Sequence, residues 1–369
     1  MEEYQAPLGD VFDVGSPRVG ERLRRARVEK GLELVDIARS QVASAINASP
    51  EGIVFTSGAT EANNLAIKGI TEFHQRRGKH IVVCAADHKA ILDPCKHLKR
   101  QGYDITYLTP HPNGLINLEE YANALREDTI LVSTVYVNSE TGVIQNAQKL
   151  IELAHEKGIF VHLDAAQAIG KIPVDVKALN VDLMSFSAHK VYGPKGIGAL
   201  YIKQNPRIRL AAQMQGGGQE HGIRSGTLAT HQIISMGEAF ALAEKNLTDD
   251  RKHALELKNT LWSQLAVLDQ VSLNSDPTCT VPSILNVSFD GIDNARLLEA
   301  LPHIALSTGS ACTSGSLEPS YVLRAMGIRR ERAAGALRFS FGRFTTMEEI
   351  KQAEHDIIET INKIRKKHV

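Results

Sequence analysis

The sequence lacks an excess of charge of either sign. Its 42 Lys and Arg residues equal its 42 Asp and Glu residues, so the formal net charge of the 369-residue chain is zero. Proteins that hold nucleic acid through its phosphates, or that bind anionic lipid, usually carry a basic excess. We therefore expect no nucleic-acid partner and no membrane partner.

Cysteines are also few, namely Cys84, Cys95, Cys279 and Cys312. They form no Cys-x-x-Cys pair and show no metal-ligand spacing, and four cysteines in so long a chain do not make a disulfide scaffold. We therefore expect reduced thiols and no resident metal.

Long apolar runs are missing as well. The longest, such as 81–86 and 130–137, fall far short of the roughly 20 residues that a membrane-spanning helix needs. The first ten residues carry acidic side chains where a signal peptide carries a positive region and an apolar block. A cytoplasmic location is expected.

The pattern that is present is an alternation of short β-branched runs with longer amphipathic segments from about Gly52 onward. It is typical of βα units around a mostly parallel sheet. A pattern with fewer strands and longer helices follows. We predict an α/β fold with a large cofactor-binding domain at 35–245, a smaller α+β C-terminal domain at 246–369 and an atypical N-terminal segment at 1–34. The basic stretch Ser16–Lys30 in that segment is interpreted as an exposed helix face.

The individual elements follow from the same periodicities. The predicted strands are Ile53–Phe55, Ile81–Ala85, Ile105–Leu108, Ile130–Val137, Phe160–Leu163, Leu183–Ser187, Ala199–Ile202, Ile284–Ser288 and Leu337–Phe341. The predicted helices are Leu34–Asn47, Glu61–Gln75, Lys89–Arg100, Ala147–Lys157, Leu228–Lys245, Lys252–Leu268 and Asn294–Leu301. A closing helix is predicted to begin at a capping box, Thr346-Met-Glu-Glu349.

Polar residues follow three of these strands at their carboxyl ends, where open α/β folds bind ligands. Lys190 could be a Schiff-base nucleophile or a solvated loop lysine. Asp164 could pair with a pyridinium nitrogen or cap the next helix. Residues 56–60 could hold a phosphate at a helix N-terminus or only cap that helix. Generic dinucleotide and P-loop signatures are absent.

Longer motifs surround these residues. They read TSGATEANN at 56–64, DHKAILD at 87–93, HLDAAQAIGKIPVD at 162–175, DLMSFSAHKVYGPKGIGALY at 182–201, GGGQEHGIRSGT at 216–227, STGSACTSGSLEPSYVLRAMG at 307–327 and LRFSFGRFTT at 337–346. Through them the sequence resembles the cysteine desulfurases of the class V aminotransferase superfamily, in the group with a long cysteine loop. The resemblance implies a homodimeric enzyme of pyridoxal phosphate transferase fold type I.

The resemblance also implies a role for each site residue. Lys190 would carry pyridoxal 5'-phosphate covalently and then act as a base, Asp164 would pair the pyridinium nitrogen, and His88 would lie over the ring. Gln167 and Ser139 would lie beside the phenolic oxygen. The phosphate would be held by Ala59, Thr60, Ser187, His189 and Thr227, the last acting on the partner subunit's cofactor. Arg338 would bind the substrate carboxylate as a bidentate fork.

Cys312 lies among small residues that a rigid core would not favour. A lone cysteine is often a buried small hydrophobe, but the resemblance implies that this thiolate attacks the sulfur of L-cysteine. L-Alanine would leave, and the persulfide on Cys312 would pass to an acceptor such as an iron–sulfur scaffold protein. Cys312 is also a candidate transient cluster ligand. Cys84 is interpreted as structural, and Cys95 and Cys279 receive no role.

Three departures from the family pattern accompany the match. The family's opening strand, its turn and its GNPSSxH-like segment are missing, and residues 1–34 instead resemble the first helices of a helix-turn-helix domain too short to bind DNA. Ser139 stands where the family has a second Asn. The tail after Lys366 is short. The alternatives are a catalytically impaired homologue that serves as a binding subunit, and a selenocysteine lyase.

Overall fold

The computed structural model describes residues 34–309 and 319–366. The predicted N-terminal segment, apart from its last residue, and the predicted nucleophile Cys312 lie outside this described part. Within it, no helix combines the length and the apolar character that a membrane crossing requires.

A seven-stranded sheet forms the centre of the larger part. Its strands are β1 (Ile53–Thr56), β2 (His80–Cys84), β3 (Asp104–Leu108), β4 (Thr129–Val135), β5 (Phe160–Asp164), β6 (Leu183–Ser187) and β7 (Gly198–Ile202), in the spatial order β1-β7-β6-β5-β4-β2-β3. All neighbours pair in parallel except for β7, which is antiparallel to both β1 and β6. The mostly parallel sheet is therefore confirmed, and six of its strands end at one edge.

Helices cover both faces of this sheet, which explains why β4 and β7 are buried along their whole lengths. The helices are α1 (Leu34–Ser44), α2 (Ala59–Phe73), α3 (Lys89–Arg100), α4 (Leu118–Ala124), α5 (Ala147–Glu156), α6 (Val176–Leu179) and α7 (Thr230–Leu265). Apolar residues of α2 and α3 pack on one face, and those of α1, α4, α5 and α7 on the other. Strands buried on both faces read as continuous apolar runs, and these do.

The smaller part is an antiparallel sheet in the order β10-β9-β8, built from β8 (Val271–Leu273), β9 (Ile284–Phe289) and β10 (Ala336–Ser340). It is accompanied by α8 (Asn294–Ala300), α9 (Tyr321–Ala325), α10 (Arg330–Ala334) and α11 (Met347–Lys366). The capping box that opens α11 is confirmed, because Thr346 N–H donates to Glu349 Oε2 (2.7 Å) and Glu349 N–H donates to Thr346 Oγ1 (3.2 Å).

Helix α7 differs from its prediction. Two helices were expected on either side of position 245, but a single helix of 36 residues runs from Thr230 to Leu265. The polar stretch at 245–252 interrupts the apolar periodicity and so suggests a break, yet it contains neither Gly nor Pro to end a helix. The predicted domain boundary at 245/246 falls within this helix, and the division into domains stays a prediction.

Candidate active site

A cavity of about 420 Å³ opens at the sheet edge where the parallel strands end. It is lined by nearly all of the described residues that the sequence singled out. These are Ala59, Thr60, His88, Ser139, Asp164, Gln167, Ser187, His189, Lys190 and Arg338. Because they come from six separate stretches of the chain, the fold alone brings them together.

The stretch 56–60 leads from β1 into α2, whose helix starts at Ala59 with Gly58 as its N-cap. Gly58 has a φ of +151°, and the backbone of Gly198 on β7 lies so close that a Cβ at Gly198 would come within 2.6 Å of the Gly58 Cα. Gly58, Ala59 and Thr60 line the cavity, so the start of a 15-residue helix lies at its wall. This N-terminus suits an anion such as a phosphate.

Two more phosphate candidates lie across from this turn. Ser187 ends β6, and its hydroxyl is 2.8 Å from Nδ1 of His189 in the short 3₁₀ turn that follows. Burial, with the positive charges of Lys190 and Lys195, lowers the pKa of His189. The lowered pKa favours the neutral ring, which can donate a hydrogen bond through one nitrogen only.

Asp164 ends β5 and is only 6% exposed. Its carboxylate accepts hydrogen bonds from the Asn63 side-chain amide (2.7 Å) and from Ala166 N–H (3.0 Å), and both donors are neutral. Within the described chain no cation is paired with it. A buried carboxylate that faces a cavity in this way fits a cationic ring nitrogen as its missing partner.

His88 lines the cavity at the start of α3, and its Nδ1 accepts a hydrogen bond from Ala90 N–H (3.1 Å). The preceding residue, Asp87, was not singled out from the sequence. Its buried carboxylate accepts hydrogen bonds from Cys84 N–H, Thr134 Oγ1 and Val135 N–H at 2.8 to 2.9 Å. Asp87 therefore joins the ends of β2 and β4 immediately before His88, and burial raises its pKa to about 7.

Lys190 follows β6 in the same 3₁₀ turn as His189. A second lysine lies behind it, because Lys171 Nζ is 3.4 Å from the carbonyl oxygen of Lys190. Burial, together with the charges of Lys190 and Arg338, lowers the pKa of Lys171 to about 7. Lys171 could not be selected from the sequence, because its contact depends on how the 170–171 turn packs against residues 190–192.

Arg338, on β10, is the residue of the smaller sheet that lines the cavity. Its NH1 donates to the carbonyl oxygen of Ser139 (2.9 Å), and its Nε has no partner among the described residues. Burial lowers the pKa of Arg338, an effect that the nearby Glu140 opposes. A half-buried guanidinium that lines a cavity is suited to binding a carboxylate.

Thr227 lies apart from this cavity, in an adjoining pocket of the same chain. Its loop is fixed by two ion pairs. Glu220 accepts two hydrogen bonds from Arg39 (2.7 and 2.8 Å) and one from Phe55 N–H (2.7 Å). Arg224 Nε donates to Glu61 at 2.7 Å. The loop is thereby tied to β1 and to the first turn of α2, and Thr227 does not line the cavity of its own chain.

Of the described cysteines, Cys84 and Cys95 are buried and Cys279 is half-buried. Burial raises the pKa of Cys84 well above its usual range and that of Cys95 to about 12. A thiol that stays protonated is a poor nucleophile. The raised pKa agrees with the interpretation of Cys84 as structural. The same interpretation applies to Cys95.

The family model described as "Aminotransferase class-V" matches residues 22–353. "Cysteine desulfurase IscS" of Aeromonas hydrophila is 52% identical over 365 residues, covering 95% of this chain and 90% of that protein. Among solved structures, "NIFS-LIKE PROTEIN" superposes with a TM-score of 0.82 at 34% identity, covering 90% of this chain and 87% of its own. "SspA in complex with cysteine" superposes at 0.75 and 34% identity, covering 87% and 90%.

Proposed function

The chain belongs to the class V aminotransferase family, and on that premise we propose how it works as a cysteine desulfurase that converts L-cysteine to L-alanine. The observation that supports the scheme is the single cavity in which Lys190, Asp164 and Arg338 meet. It offers an amine, an unpaired buried carboxylate and a carboxylate-binding guanidinium within one site.

The cofactor that fits this site is pyridoxal phosphate. When bound, it supplies an electron sink for the pair of electrons left on a substrate carbon after proton removal. Lys190 would hold it covalently, and Asp164 would pair with its ring nitrogen. The phosphate would be held by the N-terminus of α2 with Thr60, Ser187 and His189. His88, Gln167 and Ser139 would contact the ring and its phenolic oxygen.

The chain's own residues then divide the work. Arg338 binds the carboxylate of L-cysteine and so orients the Cα–H bond, and the Lys190 amine removes the α-proton. The thiolate of Cys312 attacks the substrate sulfur. The S–S bond forms as the Cβ–S bond breaks, and the carbon skeleton takes up protons and leaves as L-alanine. Atoms and electrons balance without an external oxidant, because the electron pair of the breaking Cβ–S bond stays with the carbon skeleton, whose reduction offsets the oxidation of sulfur to the persulfide.

We further propose a homodimer in which Thr227 serves the partner subunit's cofactor. Its position outside its own chain's cavity supports this. The sulfur acceptor would be a protein such as an iron–sulfur scaffold, and the location would be cytoplasmic. Cys312, the proposed sulfur carrier, lies outside the described residues. The residues on either side of 310–318 support the assignment, because Gly309 and Ser320 both lie beside Glu140, the neighbour of the cavity residue Ser139.

The test is a cofactor spectrum combined with product analysis. Protein reconstituted with pyridoxal phosphate should show a visible band that Lys190→Ala abolishes, and L-cysteine should yield L-alanine and protein-bound persulfide. Cys312→Ser should lose both products, whereas the matched variant Cys279→Ser should keep them. Persulfide that persists in Cys312→Ser would refute the assignment of the carrier. Cofactor binding without any turnover in the wild type would favour the impaired binding subunit instead.

A further inference from the structure

Glu140 is a buried carboxylate, 1% exposed, that the proposed chemistry does not use. It lies in the turn Asn138–Gly142 after β4. Glu140 N–H and Thr141 N–H donate to the Asn138 side chain at 2.9 and 3.0 Å. From the smaller sheet, the side chain of Asn286 donates to the Glu140 carbonyl oxygen (3.0 Å). The backbone of Glu140 is thus fixed from both sheets.

The carboxylate of Glu140 meets the chain at two points that flank residues 310–318. On the far side, the Ser320 hydroxyl donates to Glu140 Oε2 at 2.5 Å. On the near side, Gly309 packs so tightly that a Cβ there would come within 3.2 to 3.3 Å of both carboxylate oxygens. One side chain therefore holds both flanks of the stretch that contains Cys312.

The same turn also contacts the substrate-binding arginine. Ser139, the neighbour of Glu140, accepts a hydrogen bond from Arg338 NH1 (2.9 Å). The backbone of Arg338 pairs with Ser307, which receives its N–H at 2.7 Å. Arg338, the near flank and Glu140 thus form one connected group, in which the contacts with Gly309 and Ser320 are made by the Glu140 side chain.

We propose that Glu140 is a positioning residue that holds the two flanks of 310–318 in a fixed place relative to Arg338. The inference rests on the proposed function, in which Arg338 binds the substrate carboxylate and Cys312 takes the substrate sulfur. Loss of the Glu140 carboxylate should therefore impair sulfur transfer and spare proton removal, since the latter depends on Lys190, Asp164 and Arg338 and not on Cys312.

The experiment separates these two steps in the reconstituted enzyme. L-Alanine serves as a probe without sulfur, and the exchange of its α-proton with deuterium from the solvent reports proton removal. L-Alanine formation from L-cysteine reports sulfur transfer. In Glu140→Ala we expect exchange within about threefold of the wild type and product formation lowered by about 10- to 100-fold, the range of a small misplacement of reacting groups. Glu140→Gln retains an acceptor for Ser320 and should recover part of the loss.

A double-mutant cycle tests the contact directly. Ser320→Ala should lower product formation more in the wild-type background than in Glu140→Ala, where only the loss of the Ser320 cap on Leu323 N–H (3.2 Å) remains. The exposed Glu120→Ala serves as the control and should behave as the wild type. Equal loss of exchange and product formation in Glu140→Ala, or additive effects in the cycle, would overturn the inference. If Glu140→Ala does not fold, the same comparison of α-proton exchange with product formation in Glu140→Gln and Ser320→Ala tests the inference. Absence of product in the wild type would instead count against the proposed function.

Discussion

The ion pair between Arg39 and Glu220 allows a quantitative test of how the Thr227 loop is held. Both side chains are largely withdrawn from solvent, at 12% and 1% exposure, and two hydrogen bonds join them. Arg39 also donates to the Ile53 carbonyl oxygen (2.6 Å) and lies 4.7 Å from the centre of the Phe55 ring. We consider the substitution Glu220→Gln, which keeps the shape and removes the charge.

The magnitude follows from what remains after the substitution. Removal of one partner of a buried pair typically costs about 3 to 5 kcal/mol, because it leaves the other charge uncompensated. The glutamine oxygen can still accept from Phe55 N–H, and Arg39 keeps the Ile53 carbonyl oxygen and the Phe55 ring. The lower end of the range is therefore expected, about 3 kcal/mol in the free energy of unfolding.

The assay is urea denaturation of the cofactor-free protein, followed by the fluorescence of the single tryptophan, Trp262. The matched control is Asp104→Asn, which removes one partner of Arg126 in an exposed pair, with the two side chains 58% and 43% exposed. That change should cost less than about 1 kcal/mol. If Glu220→Gln is no more destabilising than Asp104→Asn, the pair does not hold the loop and the argument is wrong.

Three further predictions concern ionisable side chains that are buried, Asp164 and His162, or half-buried, Lys171. Asp164→Asn should leave the fold intact and slow α-proton exchange of L-alanine by about 100-fold, as losses of fixed charge in active sites do; an unchanged exchange rate would remove Asp164 from the proposed site. His162 lies between Ser133 and Ser185 with its pKa lowered to about 3 by burial. The unfolded chain then binds more protons below pH 6.5, so the folded state should lose about 2 kcal/mol at pH 5 relative to pH 8. Urea unfolding of His162→Gln at the two pH values should lack this difference. Lys171, with its pKa near 7, should make the folded state more stable as the pH rises from 7 towards 10, and Lys171→Met should flatten that rise in the same assay.

The central sheet could be predicted from the sequence because its signal is local. Strands buried on both faces need apolar runs, and each such run, including the whole of β6, was located within two residues of its bounds. Strand β8 was missed, since Val271–Leu273 is three residues long and half-buried. The junction within α7 was misjudged for the opposite reason: a polar stretch without helix breakers remained helical, and Asp250 within it pairs with Arg343.

Only the site residues that lie in recognisable sequence motifs could be predicted. Lys190 and Asp164 were selected by their places at strand ends, and their roles by resemblance. Asp87, Lys171 and Glu140 were not selected, because their importance lies in contacts with residues far away in the chain. Asp87, for example, receives two of its hydrogen bonds from residues 47 and 48 positions later. No spacing rule encodes such a contact.

Helix α7 has a consequence for how the molecule unfolds. At 36 residues it is about 54 Å long, and its first half packs in the core of the large sheet through Ile233 and Phe240. Its second half packs in the core of the small sheet through Leu257 and Leu261. If one core opens, the half of α7 that packs in it is released, while the other core still holds the other half of the same helix. Amide protons along α7 should therefore exchange in one cooperative step, and the two sheets should melt together.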